Sequence, residues 1–248
     1  MKTNIKATVQ LGLAGIFTAL VCVATMIFTI YVPSTKGFFN IGETMVYTSA
    51  LIAGPLVGAF AGGIGSMLAD LLLGYYYYAP ATLVIKALEG GVVGFLNRKR
   101  HLFTNHHSRA EWKIFTAEIG ILVGALTGLL GFLYYSGIVE LYSGILLPEA
   151  STSMIFIPME FWLGLGVFVA LLVIAVGFVS DPEFGWMIIS TIFGGLLMVA
   201  GYFIYEQLFL GVFAFAEVPV NIGQMTIGLI IAMPVVKIVQ RTLPQLRR

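Results

Sequence analysis

The sequence predicts an all-α fold, a polytopic transmembrane helical bundle. Of its residues, 59% are apolar and only 10% are charged, whereas ordinary soluble domains are roughly 25% charged. The apolar residues come in runs of about 20, the helix length that crosses a hydrocarbon layer of about 30 Å. A water-soluble fold of this size could not cover its surface with so few charges. The chain is therefore expected to lie in a lipid bilayer.

Eight membrane-embedded helices are expected in chain order. The first apolar run is too long for the core of a signal peptide and lacks a small-residue cleavage site, so it is expected to be retained. Pro55 separates a short second helix from the third, because proline cannot continue a preceding helix. The predicted helices span residues 8–32, 43–54, 55–73, 80–97, 113–135, 157–179, 186–210 and 218–240.

Positive charge predicts the orientation of these helices. Basic residues cluster before the first helix, in the loop at 98–113 and after the last helix. With eight spans all three clusters fall on one side, which the positive-inside rule makes the cytoplasm. The outer loops carry a single basic residue, Lys36. We therefore expect a multi-pass protein of a prokaryotic plasma membrane with both termini in the cytoplasm.

The sequence lacks the signals of several other classes. Cys22 is the only cysteine, which excludes an internal disulfide and a thiolate metal cluster. The three histidines, His101, His106 and His107, lie in a basic loop that is better explained as a solvated surface than as a metal site. There is no GxxxxGK[ST] loop, so the chain has no P-loop nucleotide motor. No metal, cofactor or nucleic-acid partner is predicted.

Polar side chains follow one face of three predicted helices. Ionisable groups at membrane depth are costly, so each is a functional candidate. Helical spacing aligns Thr82, Lys86 and Glu89 on the fourth helix, Tyr202 and Glu206 on the seventh, and Glu217, Asn221 and Gln224 on the eighth. All of them fall in the outer half of the membrane, while the inner halves are apolar. A pore would need polar groups throughout, so the pattern predicts a pocket open to the outside. The alternative is that Lys86 and Glu89 only neutralise each other.

Two further segments are expected at the rim of this pocket. The loop from Lys36 to Glu43, which contains Asn40, is flanked by glycines and could close the entrance as a lid. Tyr75 to Tyr78 precede the fourth helix and are typical of an interfacial aromatic belt. Tyr78 is the best placed of the four to stack on a flat ligand. Asp70 ranks below these residues as a candidate.

The first helix carries a stripe of small residues. Gly12, Gly15 and Ala19, continued by Thr8 and Cys22, recur at spacings of three and four. Such stripes allow close helix packing in membranes. The spacing fits both a docking face for a partner subunit and packing within the chain. The third helix repeats the pattern with Gly58, Gly62, Gly65 and Ala69.

These motifs resemble those of a known family. The stretch PSTKGFFNIGETMVY…GPLVGAFAGGIGSMLADLLLGYYYYAPATLVIKALEGGVVGFL (33–96) resembles the substrate-binding S components of energy-coupling-factor (ECF) vitamin transporters, most closely the riboflavin and hydroxymethylpyrimidine branch. GYFIYEQLFLG (201–211) and EVPVNIGQMTIGLIIAMP (217–234) resemble the family's last two helices. Gly15-xxx-Ala19 stands where the family usually has Ala-xxx-Ala, the motif that meets the coupling subunit.

The resemblance implies a function and a domain organisation. It implies that this chain binds a vitamin from outside, and that a transmembrane coupling subunit and two ATPases drive it to topple and release its cargo inward. Within a single membrane domain (1–248), residues 8–97 would form the first four core helices, 186–240 the last two, and 100–185 an inserted helical pair. That insertion departs from the six helices usual in the family and contains Glu118, Glu140, Glu149 and Glu160.

Nine residues are expected to contact the ligand. Lys86 would offer charge or donors to a carbonyl or phosphate, and Glu89 and Glu206 would accept hydrogen bonds from ring N–H or amine groups. Riboflavin, thiamine, its pyrimidine precursor and pantothenate suit this set about equally. The full set is Asn40, Tyr78, Thr82, Lys86, Glu89, Tyr202, Glu206, Asn221 and Gln224.

Two other classes of function fit the sequence less well. A self-sufficient secondary transporter could use Lys86 and Glu89 to carry a coupled proton, although the sequence shows no convincing inverted repeat. A membrane enzyme would need a reactive set of carboxylates or histidines near the headgroups, and none stands out. The chain is therefore predicted to bind and transport its substrate without acting on it as an enzyme.

Overall fold

The structure is a computed structural model that describes residues 2–32, 35–99, 109–143, 151–179 and 182–243. The chain divides into two compact units, one made of residues 1–99 together with 187–248 and the other of residues 100–186. The three histidines of the basic loop, His101, His106 and His107, lie outside the described residues.

Eight α-helices, two β-hairpins and one 3-10 helix make up the described parts of the chain. In order they are α1 (Lys2–Ile27), β1 (Thr29–Val32), β2 (Gly37–Asn40), α2 (Glu43–Ala53), α3 (Pro55–Leu73), α4 (Ala79–Arg98), α5 (Arg109–Tyr135), β3 (Gly137–Ser143), β4 (Ser151–Ile157), α6 (Met159–Val179), α7 (Pro182–Leu210), the 3-10 helix Gly211–Ala216, and α8 (Glu217–Thr242).

Six of the described helices, α1, α3, α4, α5, α7 and α8, are long and apolar enough to cross a membrane. A further apolar stretch in α6, Met159–Ala175, is shorter. Helix α2 has 11 residues, which span only about 16 Å at 1.5 Å per residue. The predicted all-α polytopic class is confirmed, but α2 is too short to cross a bilayer by itself.

The first helix ends earlier than predicted. It stops at Ile27 rather than at residue 32, and Thr29–Val32 pairs antiparallel with Gly37–Asn40. Thr, Ile, Tyr and Val favour extended structure, and the following Pro33 disfavours helix in the residue before it. The end of the predicted first helix and part of the loop predicted after it therefore form a two-stranded hairpin.

Glycines let α3 and α4 pack with their backbones in contact. A Cβ on Gly58 would lie 2.6 Å from the carbonyl oxygen of Gly90, and a Cβ on Gly62 would lie 2.7 Å from that of Lys86. Gly65 faces α1 in the same way, with a Cβ position 2.7 Å from the Thr18 carbonyl oxygen. The small residues of the third helix thus serve packing within the chain.

Helix α2 lies inside the first unit. All of its residues except Met45 are buried, and it contacts α1, α3, α4 and α8. Gly228 of α8 packs directly against Glu43 of α2. This central position brings polar residues of α2 next to the polar faces of α4 and α8.

The second unit contains α5, the β3–β4 hairpin and α6. Helices α5 and α6 pack closely through glycines, since a Cβ on Gly166 would lie 2.6 Å from the Gly124 carbonyl oxygen. The strands pair from Gly137 opposite Ile157 to Ser143 opposite Ser151. The segment predicted as a loop between the two inserted helices therefore contains a second hairpin.

Candidate functional site

A polar cavity lies within the first unit, between the hairpin β1–β2 and the helices α3, α4, α7 and α8. The volume that the centres of water molecules can occupy in this cavity is about 40 Å³. That volume has room for a few water molecules. A larger molecule would enter only if the walls moved apart. The lining residues are Gly37, Phe38, Asn40, Asp70, Tyr78, Thr82, Lys86, Tyr202, Glu206, Glu217, Asn221 and Gln224.

A buried ion cluster forms one side of the cavity. The Lys86 ammonium pairs with Glu43 of α2 and lies 3.2 Å from Glu89 Oε2. The Tyr47 hydroxyl donates to Glu89 Oε1 at 2.9 Å, and Lys86 Nζ also lies 5.5 Å from the centre of the Tyr202 ring. The pairing of Lys86 and Glu89 foreseen from their spacing is present, but a second carboxylate shares the ammonium.

Polar side chains of α3, α4 and α7 meet along the next wall. The Tyr202 hydroxyl donates to Thr82 Oγ1 at 3.0 Å, and the Asp70 carboxyl group lies beside the Thr82 hydroxyl. Both hydroxyl residues are buried. The side chains that face the cavity from these three helices therefore hold one another in place.

Tyr78 joins the C-terminal end of α7 to the turn that precedes β2. Its hydroxyl lies 3.1 Å from the Thr35 carbonyl oxygen and 3.4 Å from Glu206 Oε1. Burial, followed by the negative charges of Glu206 and Glu217, raises the pKa of Tyr78 above its ordinary value. The phenol therefore stays protonated at physiological pH and acts as a donor.

The hairpin is held against α8 by two hydrogen bonds. The Thr35 hydroxyl donates to Glu217 Oε2 at 2.5 Å, and the Asn40 backbone N–H donates to Gln224 Oε1 at 2.7 Å. Gln224 Nε2 then donates to Asn221 Oδ1 at 3.0 Å. Because Gly37, Phe38 and Asn40 line the cavity, the hairpin forms one of its walls.

Several buried polar atoms around the cavity have no hydrogen-bond partner. They include Asp70 Oδ2, Glu206 Oε2 and Asn221 Nδ2, all on residues that line the cavity. An unpaired buried polar atom costs about 1–3 kcal/mol. Such atoms concentrated in one cavity are typical of a site where a ligand supplies the missing partners.

Comparison with known proteins identifies the family. A family model described as ECF-type riboflavin transporter, S component, matches residues 3–176, more than half of the chain. The chain belongs to this family. The resemblance predicted from residues 33–96 is thereby confirmed.

Two curated relatives are similar to about half of this chain. The chain is 34% identical over 142 residues to the "uncharacterized protein in gap 3'region" of Pyrococcus woesei, an alignment that covers 51% of this chain and 88% of the relative. It is 27% identical over 132 residues to the "thiamine precursor transporter HmpT" of Lactococcus lactis subsp. cremoris (strain MG1363), which covers 53% of this chain and 70% of that relative. The family description and the name of the Lactococcus lactis relative indicate a substrate-binding subunit of a vitamin-type transporter rather than an enzyme.

The cavity of this S component brings together eight of the nine residues predicted to contact a ligand. The ninth, Glu89, pairs with Lys86 and does not line the cavity. Glu206 and Asn221 lie beyond the residues that the family model matches. Ligand contact itself stays a prediction for all nine.

Other residues of the site were not among the nine. Asp70 and Glu217 line the cavity, and Glu217 could have been chosen because it lies four residues before Asn221 on the same helical face. Glu43 pairs with Lys86 from another helix, and no spacing in the sequence links the two. Among the described residues, no group of His, Cys, Asp or Glu side chains is placed to hold a metal ion.

The small stripe of α1 faces outward in this S component. Gly12, Gly15 and Ala19 are exposed, and a Cβ on either glycine would have no atom within 4 Å. Helix α1 packs into the first unit through a different face, which contains Phe17 and Val21. Packing within the chain therefore does not account for the stripe.

Proposed function

We propose that this S component captures a water-soluble vitamin or vitamin precursor for an ATP-driven ECF-type importer in the plasma membrane of a prokaryotic cell. The observation that carries the proposal is the polar cavity whose buried Asp70, Glu206 and Asn221 atoms have no partner among the described residues. The eight predicted residues that line it, together with Glu89 behind them, hold the ligand.

The names of the family and of one relative suggest two candidate ligands. The family description names riboflavin, and the Lactococcus lactis relative is named for a thiamine precursor. Both molecules are flat, nitrogen-containing ring compounds. Tyr78 and Tyr202 line the cavity and provide aromatic surface for such a ring.

The outward face of α1 is the proposed docking surface for the transmembrane coupling subunit. Gly12, Gly15 and Ala19 form a smooth, exposed stripe, and small residues let two membrane helices approach closely. Two ATPase subunits, bound to the coupling subunit, would supply the energy of transport. The remaining exposed apolar surface of the spans contacts lipid.

The first compact unit is proposed to be the six-helix core of the S component. It contains α1 to α4, most of α7 and all of α8, and residues 100–186 form an insertion. Both relatives are shorter proteins, since each alignment covers a larger share of the relative than of this chain. An insertion in this chain accounts for that difference in length.

Ligand binding by the purified protein tests this function. Thermal stabilisation and calorimetry in detergent would be measured against a panel of water-soluble vitamins and precursors, with Lys86→Ala as the comparison variant. Ligand at a hundred times its dissociation constant should add about 2.7 kcal/mol to the free energy of unfolding. We expect nanomolar binding to the unaltered protein and its loss in Lys86→Ala.

A proton-coupled secondary transporter is the second candidate. The observation that favours it is the Lys86 ammonium held between Glu43 and Glu89 at membrane depth, an arrangement that proton-coupled carriers use. Proteoliposomes that contain this chain alone separate the two functions. Proton-driven uptake without the coupling subunit and ATPases would exclude the importer subunit, and uptake only with them would exclude the carrier.

A further inference from the structure

The charges around the cavity are unevenly balanced. Three carboxylates line it, from Asp70, Glu206 and Glu217, against one ammonium from Lys86. That ammonium already pairs with two further carboxylates, Glu43 and Glu89. Within the part of the chain that the structure describes, the lining thus has an excess of negative groups and no cation that is not already paired.

Most of the hydrogen-bond donors that face the cavity are engaged within the protein. The Tyr202 hydroxyl donates to Thr82. The single proton of the Tyr78 hydroxyl is shared between the Thr35 carbonyl oxygen at 3.1 Å and Glu206 Oε1 at 3.4 Å. Gln224 Nε2 donates to Asn221 Oδ1. Among the atoms without a partner, the donor on the lining is the Asn221 amide nitrogen.

The acceptors of the lining are less completely used. Asp70 Oδ2 and Glu206 Oε2 are both buried and have no partner. They belong to different walls, since Asp70 is near the end of α3 and Glu206 near the end of α7. A ligand that hydrogen-bonds to both oxygens must present hydrogen-bond donors. To pair with Asn221 Nδ2, the same ligand must also present one acceptor.

We propose that the ligand is an amine-bearing or cationic nitrogen heterocycle, recognised by Asp70 and Glu206 through its N–H groups and by Asn221 through a ring nitrogen. This inference rests on the proposed function and specifies the substrate class of the same cavity. An aminopyrimidine has the required pattern, because its exocyclic amine donates two hydrogen bonds and the adjacent ring nitrogen accepts one. Charge-assisted hydrogen bonds of this kind are about twice as strong as neutral ones.

The same lining disfavours two other ligand chemistries. A dioxopyrimidine ring, as in a flavin, presents two carbonyl oxygens around one N–H, so its oxygens would face unpaired carboxylates. A phosphate ester would bring negative charge to a wall whose only cation, among the described residues, is already paired with Glu43 and Glu89. Burying a charge without a partner is strongly unfavourable.

A matched pair of small ligands tests the proposal on the unaltered protein. The probes are 4-amino-5-hydroxymethyl-2-methylpyrimidine and its 4-oxo analogue, which differ in one donor group, together with riboflavin and the monophosphate ester of the amino compound. A site built to hydrogen-bond a group rejects analogues that lack it. Calorimetry should show the amino compound binding at least about 100-fold more tightly than each of the other three.

Two variants test whether Asp70 and Glu206 cause the preference for the amino compound over the 4-oxo analogue. Glu206→Gln and Asp70→Asn keep the side-chain shape but remove the charge, so each should weaken binding of the amino compound by about 10-fold or more and leave the 4-oxo analogue no weaker. Glu160→Gln, an exposed carboxylate in the second unit, is the control and should change neither affinity. Unfolding midpoints without ligand show whether each variant is folded.

The outcomes separate this inference from the function on which it rests. If riboflavin, the 4-oxo analogue or the phosphate ester binds as tightly as the amino compound, the proposed ligand chemistry is overturned while vitamin capture stands. If neither these probes nor the wider vitamin panel bind, the proposed function fails, and the ligand chemistry fails with it.

Discussion

Lys86 on α4 pairs with Glu43 on α2, a residue 43 positions away in the sequence. The side chains of both are buried, at 5% and 0% exposure, and Glu89 holds the same ammonium from one turn further along α4. The ion cluster ties the short central helix to the wall of the cavity. Its contribution to the free energy of unfolding can be measured.

Replacing Lys86 with Met should destabilise the protein. The change leaves two carboxylates buried without a counter-ion, and breaking a buried pair by removing one partner costs about 3–5 kcal/mol. The triple variant Lys86→Met/Glu43→Gln/Glu89→Gln removes all three charges and should recover most of that loss. Thermal unfolding in detergent measures both, and an unchanged midpoint in Lys86→Met would contradict a stabilising role for the cluster.

Gly90→Ala should destabilise the protein, whereas Gly91→Ala should not. A Cβ at position 90 would press against the backbone of Gly58 on α3, while a Cβ at position 91 would lie 3.4 Å from the Ala59 Cβ, an ordinary contact. Overpacking typically costs about 1–3 kcal/mol. The two unfolding midpoints are compared directly, and equal midpoints would show that the close approach of α3 and α4 is not required.

Thr35→Val should speed the release of bound ligand. The Thr35 hydroxyl donates to Glu217 and helps to hold the hairpin against α8, and a hydrogen bond to a charged group contributes about 1.5–3 kcal/mol. We expect the dissociation rate to rise by about 10-fold or more, with a smaller change in the association rate. Thr29→Val, on β1 and outside the cavity lining, is the matched control. Equal dissociation rates in the two variants would argue against the hairpin as a lid.

Gly15→Leu should abolish transport without weakening ligand binding by the isolated protein. Position 15 is exposed and has open space around it, so a larger side chain fits the single chain but not a closely packed helix interface. Uptake and co-purification are measured with the coupling subunit and ATPases present. Leu20→Phe, on another exposed part of α1, serves as the control. Normal uptake by Gly15→Leu would remove this face as the docking surface.

Much of the fold could be predicted from the sequence, because a helix that crosses a lipid bilayer requires a run of about 20 apolar residues. Helix α3 was predicted with the bounds that it has, Pro55–Leu73, since Pro55 marks its start. The end of helix α1 was predicted five residues too late, because Thr29–Val32 is as apolar as the helix before it and hydropathy does not distinguish strand from helix. The pairing of that segment with Gly37–Asn40 is a tertiary interaction.

Part of the candidate site could likewise be predicted from the sequence, and the rest required the tertiary structure. Helical periodicity by itself determined the polar faces, such as Thr82, Lys86 and Glu89, because residues three and four apart share a face. Only the tertiary structure decided which faces meet, that Glu43 shares the Lys86 ammonium, and that Asp70 and Glu206 keep unpaired oxygens. The physical reason is that spacing along a helix determines where a side chain points, whereas its partners depend on packing between helices distant in sequence.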